Sequence, residues 1–150
     1  MIRKALPKDL KALLRLHEAM DAEELALGYG RHPNNLQGLI EQRLRDKGTL
    51  FLVATRYRAL IGFGYATADG RRKLIYNLFI LPDYRRMGIA SHILSRLLSW
   101  EPETTAVYAY VFKGSPFLRF WLKHGFKIAR ELENAVELKV ISSVAARRAA

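Results

Sequence analysis

The chain has 150 residues, half of them apolar and 26% charged, which suits one globular domain with one substantial core rather than a disordered segment. Its 25 Lys and Arg against 14 Asp and Glu give a formal net charge of +11, a surface suited to nucleic acid, acidic lipid or a phosphate-rich ligand. There is no cysteine, which excludes disulfides, thiolate metal sites and a cysteine nucleophile; His17, His32, His92 and His124 lack metal-ligand spacing, so no metal is expected.

No apolar run approaches the roughly 20 residues that span a bilayer, and the first residues lack a secretory h-region, so a cytoplasmic protein without membrane contact is expected. In chain order, residues 1–5 read as a short strand. Pro7 suits a first helical position and Asp9 a first turn, where its charge would meet the helix dipole. Leu10, Leu13, Leu14 and His17 recur at helical spacing, predicting a helix over residues 7–27 that Gly28 and Gly30 end. After His32-Pro33-Asn34, a second helix carries Leu36, Leu39, Ile40 and Leu44 and stops near Gly48. Residues 49–55 and 60–68 read as strands joined through Arg56-Tyr57-Arg58-Ala59, and Asp69-Gly70 marks the next hairpin. Residues 73–81 form a third long strand, stopped by Pro82. From Gly88 a third helix places Ile89, Ile93, Leu94, Leu97 and Leu98 on one face, until Glu101-Pro102-Glu103 breaks it. Residues 105–112 alternate as a strand, 115–124 form an aromatic-rich helix ended by Gly125, and 126–131 and 135–140 are final strands around Glu133-Asn134. One α+β domain over residues 1–141 with a frayed tail at 142–150 is expected. The basic residues are spread along the chain, and only Arg71-Arg72-Lys73 and Arg85-Arg86 cluster away from the ends.

The most informative stretch runs from Leu78 to Ser91. A buried strand ends at Pro82, a short loop follows, and Arg-x-x-Gly-x-Ala opens a helix. The first backbone N–H groups of that helix have no intrahelical partner, and the helix dipole favours an anion there. Gly88 and Ala90 let a pyrophosphate come close, and Arg85 and Arg86 add positive charge beside it.

Leu78-x-Ile80-x-Pro82-x-Tyr84-Arg85-x-x-Gly88-Ile89-Ala90 resembles motif A of the GNAT superfamily of N-acetyltransferases. Gly125-Phe126 after Phe120-Trp121 is similar to its motif B. Asp9-Leu10 resembles its first helix and Ile61-Gly62-Phe63 its third strand. The resemblance covers about residues 1–130. It implies a mixed, mostly antiparallel sheet splayed between its fourth and fifth strands, flanked by about four helices, with acetyl-CoA in the splay as cosubstrate. It further implies that the backbone of Leu78, Phe79 and Ile80 holds the acetyl-pantetheine part like an added strand. Arg85, Arg86, Met87, Gly88, Ile89, Ala90 and Ser91 would surround the pyrophosphate. Gly114, Ser115, Phe117 and Leu118 would line the opposite wall.

The implied reaction is direct transfer of acetyl from acetyl-CoA to a primary amine of a small molecule or peptide. An alkyl amine is neutral in only about one molecule in 2,500 at pH 7, so a base, or a site that disfavours ammonium, is needed. The chain departs from the family at several chemical positions. Trp121 stands where many members have an acidic Tyr, Gly114 replaces the motif-B Asn, and Ala109 and Tyr76-Asn77 replace subfamily carboxylates. Tyr76 is the candidate base, acting through water. Tyr108 and Tyr110 lie on the fifth strand, one of them expected to face the cleft. Glu18, Asp21, Glu23 and Glu24 form an acidic patch that would bind a cationic amine, chiefly through Glu23 and Glu24. The alternative is an acyl-CoA-binding regulatory module without turnover. A nucleic-acid partner is not expected, since no basic face with interleaved aromatics is visible; a homodimer stays open.

Overall fold

Alternation within the central strands decides the architecture. The computed structural model describes residues 1–29, 35–101, 103–104 and 106–141; the loop at His32-Pro33-Asn34, Pro102, Thr105 and the expected frayed tail lie outside the described residues. The elements are β1 (Ile2–Lys4), α1 (Leu10–Ala26), α2 (Leu36–Arg45), β2 (Thr49–Arg56), β3 (Ala59–Asp69), β4 (Arg72–Ile80), α3 (Ile89–Ser99), β5 (Ala106–Phe112), α4 (Leu118–Lys123), β6 (Lys127–Glu131) and β7 (Ala135–Ile141). They form one seven-stranded sheet in the order β1-β2-β3-β4-β5-β7-β6. Every neighbouring pair is antiparallel except β4 with β5. This is the expected mixed α+β sheet with four helices.

In β2, Leu50 and Leu52 join one core and Phe51 and Val53 the other, as a period of two requires of a strand buried on both faces. The first core packs α3 and α4 against both arms of the sheet, through Ile75, Ile93, Leu97, Val107, Trp121 and Leu138. The second packs α1 and α2 on the opposite face, with Leu13, Leu16, Ile40, Phe63 and Phe79. Gly64 explains the close fit of α3: a Cβ there would lie 2.8 Å from Ile93 Cγ2. The buried His17 ring stacks on Phe63 at 4.2 Å, and burial pushes its pKa down.

Asp9 stands in the first turn, as expected, and its carboxylate does more there than meet the helix dipole. It is only 5% exposed and accepts from both Arg3 Nη1 and Nη2 (2.8 and 3.0 Å) and from the Leu6 N–H (2.7 Å). It therefore ties β1 to the start of α1, after a single 3-10 turn at Pro7–Asp9. Lys73, one of the clustered basic residues, is fully buried. Strand alternation turns it inward beside exposed Arg72, and its Nζ donates to the carbonyls of Leu97 (2.7 Å), Leu98 (3.0 Å) and Trp100, capping the C-terminal end of α3. Burial pushes its pKa down to about 8.

Candidate active site

The sheet opens where β4 gains one residue. Tyr65 pairs with Asn77 and Ala66 with Ile75, so Tyr76 is an extra residue on β4. A bulge bends its strand and increases the local twist. The β4–β5 ladder ends at the same point: it runs only from Arg72↔Ala106 to Ile75↔Ala109. Beyond it β4 continues against β3 while β5 continues against β7, leaving a cleft between them. The Leu81 N–H donates to Ile61 O on β3. By alternation the backbone groups of Ile80 and Leu78 face away from β3, into that cleft.

The turn after β4 follows from its sequence. Pro82 opens a 3-10 turn, Arg86 and Gly88 adopt left-handed conformations (φ 63° and 80°), and Gly88 caps α3. A Cβ at Gly88 would meet nothing within 4 Å, so the space above this turn is open. The first helical bond of α3 is from the His92 N–H to Gly88 O (3.0 Å), so the amides of Ile89, Ala90 and Ser91 precede any intrahelical acceptor. Arg86, Met87 and Gly88 are exposed, and Ile89, Ala90 and Ser91 half-buried.

Arg85 departs from its expected place beside a phosphate. Its Nε donates to Ile80 O (2.8 Å) and its Nη2 to both carboxylate oxygens of Glu23 on α1 (2.6 and 2.7 Å). Its guanidinium lies 5.2 Å from the Phe117 ring and 5.5 Å from the Phe79 ring. Arg85 thus bridges β4, α1 and the loop before α4. The acidic patch is changed accordingly. Glu23 is neutralised by Arg85, Asp21 is buried, and Glu18 points to solvent. Burial, with Asp21 and Glu23 nearby, pushes the half-buried Glu24 carboxyl up.

The opposite wall is built from β5 and the loop to α4. Tyr29, just past α1, stacks on Phe112 at 5.1 Å, and its hydroxyl would lie 3.1 Å from a Cβ at Gly114. Ser115 Oγ accepts from the Phe117 N–H (3.1 Å), fixing the entry to α4, where Leu118 packs on the first core. Trp121 is buried, edge-on to Phe126 at 5.1 Å, a packing role. Tyr108 and Tyr110 are two residues apart and share one face, where the sequence reading turned only one toward the cleft. Tyr108 lies under Arg72 and Lys139, and Tyr110 donates to Glu137 (2.7 Å). The Tyr76 ring stacks on Tyr65 at 5.4 Å beneath the Arg43 guanidinium at 4.5 Å.

One link escaped the sequence reading. His124 Nδ1 donates to Phe120 O (2.7 Å), which leaves a neutral ring's Nε2 to accept from the Ser91 hydroxyl (2.9 Å). It joins the phosphate-type turn to α4 across 33 residues, a distance no local pattern reports.

Residues 47–128, more than half the chain, match the Acetyltransferase (GNAT) domain. The chain belongs to the GNAT acetyltransferase family. It is 34% identical to an acetyltransferase of Yersinia enterocolitica over 89 residues, 56% of this chain and 63% of that protein. An acetyltransferase of Sodalis glossinidius is 41% identical over 58 residues, 39% and 41% of the two chains. The chain thus spans less than two thirds of the curated relatives it matches. Among solved structures, the PaiA N-acetyltransferase of Thermoplasma acidophilum in complex with coenzyme A superposes with a TM-score of 0.81 at 19% identity, over 94% of this chain and 98% of that one. The ribosomal-protein-S18-alanine N-acetyltransferase of Escherichia coli gives 0.75 at 14% identity, over 95% and 94%. At these identities the likeness is one of fold. Among the described residues, no helix is long and apolar enough to cross a membrane.

Proposed function

We propose that the protein transfers an acetyl group from acetyl-CoA to a primary amine in the cleft between β4 and β5. One observation carries this reading: the unpaired edge of β4 and the open, amide-lined turn at Gly88 are consecutive in the chain. An edge strand offers the donors and acceptors that an amide-bearing pantetheine arm needs. A helix start with left-handed Arg86 and Gly88 suits a pyrophosphate. The residues present therefore fit acetyl-CoA, and the coenzyme-A complex of the Thermoplasma relative supports the same choice.

Bound acetyl-CoA supplies an activated thioester, which an amine can attack directly. The Ile80 N–H, turned into the cleft, would stabilise the oxyanion that forms. As the C–N bond forms and the C–S bond breaks, the amine gives up a proton and the thiolate leaves. Tyr76, at the apex of the cleft, is assigned to relay that proton through water. Glu24, on the rim formed by α1, is assigned to attract the ammonium form. Glu23 shares the same rim but holds Arg85, so it positions rather than attracts.

Thiol release with a panel of amines, beside calorimetric CoA binding, tests this. Tyr76→Phe should lower kcat at least tenfold with CoA affinity unchanged. Gly88→Val puts a branched side chain at φ 80°, so it should lower stability as well as abolish CoA binding, and its folding is checked by circular dichroism beside the calorimetry. CoA binding without thiol release from any amine would instead support the regulatory module.

A further inference from the structure

The cleft opens toward both faces of the sheet. The Gly88 turn starts α3, whose Ile89 and Ile93 pack on the first core, so a cosubstrate held there enters from that face. The acceptor is left the opposite face, on the side of α1 and α2. Alternation settles what β5 and β7 present to it. Val107, Ala109, Val136 and Leu138 belong to the first core, so Tyr108, Tyr110, Glu137 and Lys139 stand on the acceptor's side. Tyr76 stands there too, its ring 5.4 Å from that of Tyr65, a member of the second core.

The charge above these rings is positive and unmatched. Arg43, in the last turn of α2, holds its guanidinium 4.5 Å from the Tyr76 ring, and its Nε is buried without a hydrogen-bond partner among the described residues. The Arg72 guanidinium lies 4.8 Å and the Lys139 Nζ 5.5 Å from the Tyr108 ring. The nearby carboxylates are committed elsewhere. Asp46 accepts from the Gly48 N–H and the Thr49 hydroxyl, both at 2.9 Å. Glu137, 9% exposed, accepts from Tyr110 (2.7 Å) and Arg130 (3.1 Å). Among the described residues, no ion pair joins Arg43, Arg72 or Lys139 to a carboxylate. Cations gathered over ring faces are attracted by the rings but still repel one another. An incoming anion would relieve that repulsion and occupy the open Arg43 donor.

We propose that this face selects the acceptor and that the acceptor is an amine carrying a carboxylate, which Arg43 and Arg72 hold while the amine reaches the thioester past Tyr76. The proposal rests on the reading of the cleft as an acetyl-transfer site. A guanidinium fork matches a carboxylate with two parallel hydrogen bonds, which a polyamine or a neutral amine has no group to accept. Every acceptor brings an ammonium for Glu24; the basic face asks for a second, negative group. Arg43 lies over Tyr76 itself, so the anion it holds stays beside the reacting end.

Thiol release is measured with matched acceptors: glutamate against glutamine, and Ala-Glu-Ala-Ala against Ala-Gln-Ala-Ala and Ala-Lys-Ala-Ala. Calorimetry with CoA present measures binding of the same compounds. Wild type should show a kcat/KM about tenfold higher for the carboxylate member of at least one set, chiefly through KM, with the advantage shrinking as salt rises. The set that shows it tells a free amino acid from a chain end. Arg43→Gln and, independently, Arg72→Gln should each cut the ratio to about threefold or less, and Arg72→Glu should turn it toward the lysine peptide. Arg72 is exposed, so its variants keep the test sound even if Arg43→Gln disturbs Tyr76. Turnover of the neutral or lysine-bearing members equal to or better than that of the carboxylates by wild type overturns the proposal and leaves acetyl transfer standing. A ratio unchanged in both glutamine variants does the same. Carboxylate-dependent binding that Arg72→Glu abolishes, with no thiol release from any amine, overturns acetyl transfer and supports the anion site. Neither binding nor release with any of the amines overturns both.

Discussion

The two arms of the sheet are built differently. Strands β1 to β4 are covered on both faces, by α1 and α2 on one side and α3 on the other. Strands β5 and β7 contribute to the first core only, and on their other face Tyr110 and Arg130 reach over the buried Glu137 carboxylate beside Tyr108, with no helix above them. Strand β6 is exposed along its whole length. The doubly covered arm holds the Gly88 turn in place, while the singly covered arm presents a wall. Four residue pairs between β4 and β5 are all that join them as a ladder. The contrast teaches that the cleft owes its position to one arm and its width to the other.

The largest break should come from the doubly covered arm. Phe63→Ala removes a fully buried ring that contacts His17, Phe51 and Phe79, and should cost about 3–5 kcal/mol in chemical denaturation. Next comes the seam, where Lys73→Met strips the carbonyls of Leu97, Leu98 and Trp100 of their donor, at about 2–3 kcal/mol. Lys73 also sets a pH dependence. Its pKa of about 8 lies below the ordinary 10.5, so between those values the unfolded chain holds more protons and stability should rise with pH. Lys73→Met should flatten that rise.

Asp9→Ala should cost about 2 kcal/mol by freeing β1 from α1. The Arg3 hydrogen bonds lower the Asp9 pKa, so its contribution is full above the ordinary aspartate value and lost as pH falls through the lowered one. A shallower acid denaturation of Asp9→Ala relative to wild type checks this. The smallest effect belongs to the singly covered arm: Ile128→Ala on β6 should change stability by no more than about 0.5 kcal/mol. A cost near that of Phe63→Ala would show that this arm is covered in solution by a partner.

The fold and the Gly88 turn were legible because their signals are local. Strand, Pro82, glycine and amphipathic helix follow one another within 20 residues, and the unbroken apolar run Leu50–Ala54 suits a strand covered on both faces. What escaped notice depends on side chains brought together from afar. Arg85 reads as a phosphate-side cation until α1 brings Glu23, 62 residues earlier, within 2.7 Å. Arg71-Arg72-Lys73 reads only as a basic cluster, and strand alternation sends Lys73 to the end of α3. The Tyr76 bulge was invisible, because a one-residue register shift leaves the apolar pattern of β4 nearly unchanged.

The short β4–β5 ladder has a kinetic consequence. Strands β2, β3 and β4 are successive hairpins and can form early from local contacts, whereas β5 reaches β4 only after α3 has crossed over. The cleft therefore comes into being with contacts less local than those of the hairpins that precede it. A ligand that occupies it finds nothing to bind in the folding transition state. Added CoA should leave the refolding rate of this protein unchanged and slow its unfolding in proportion to the affinity.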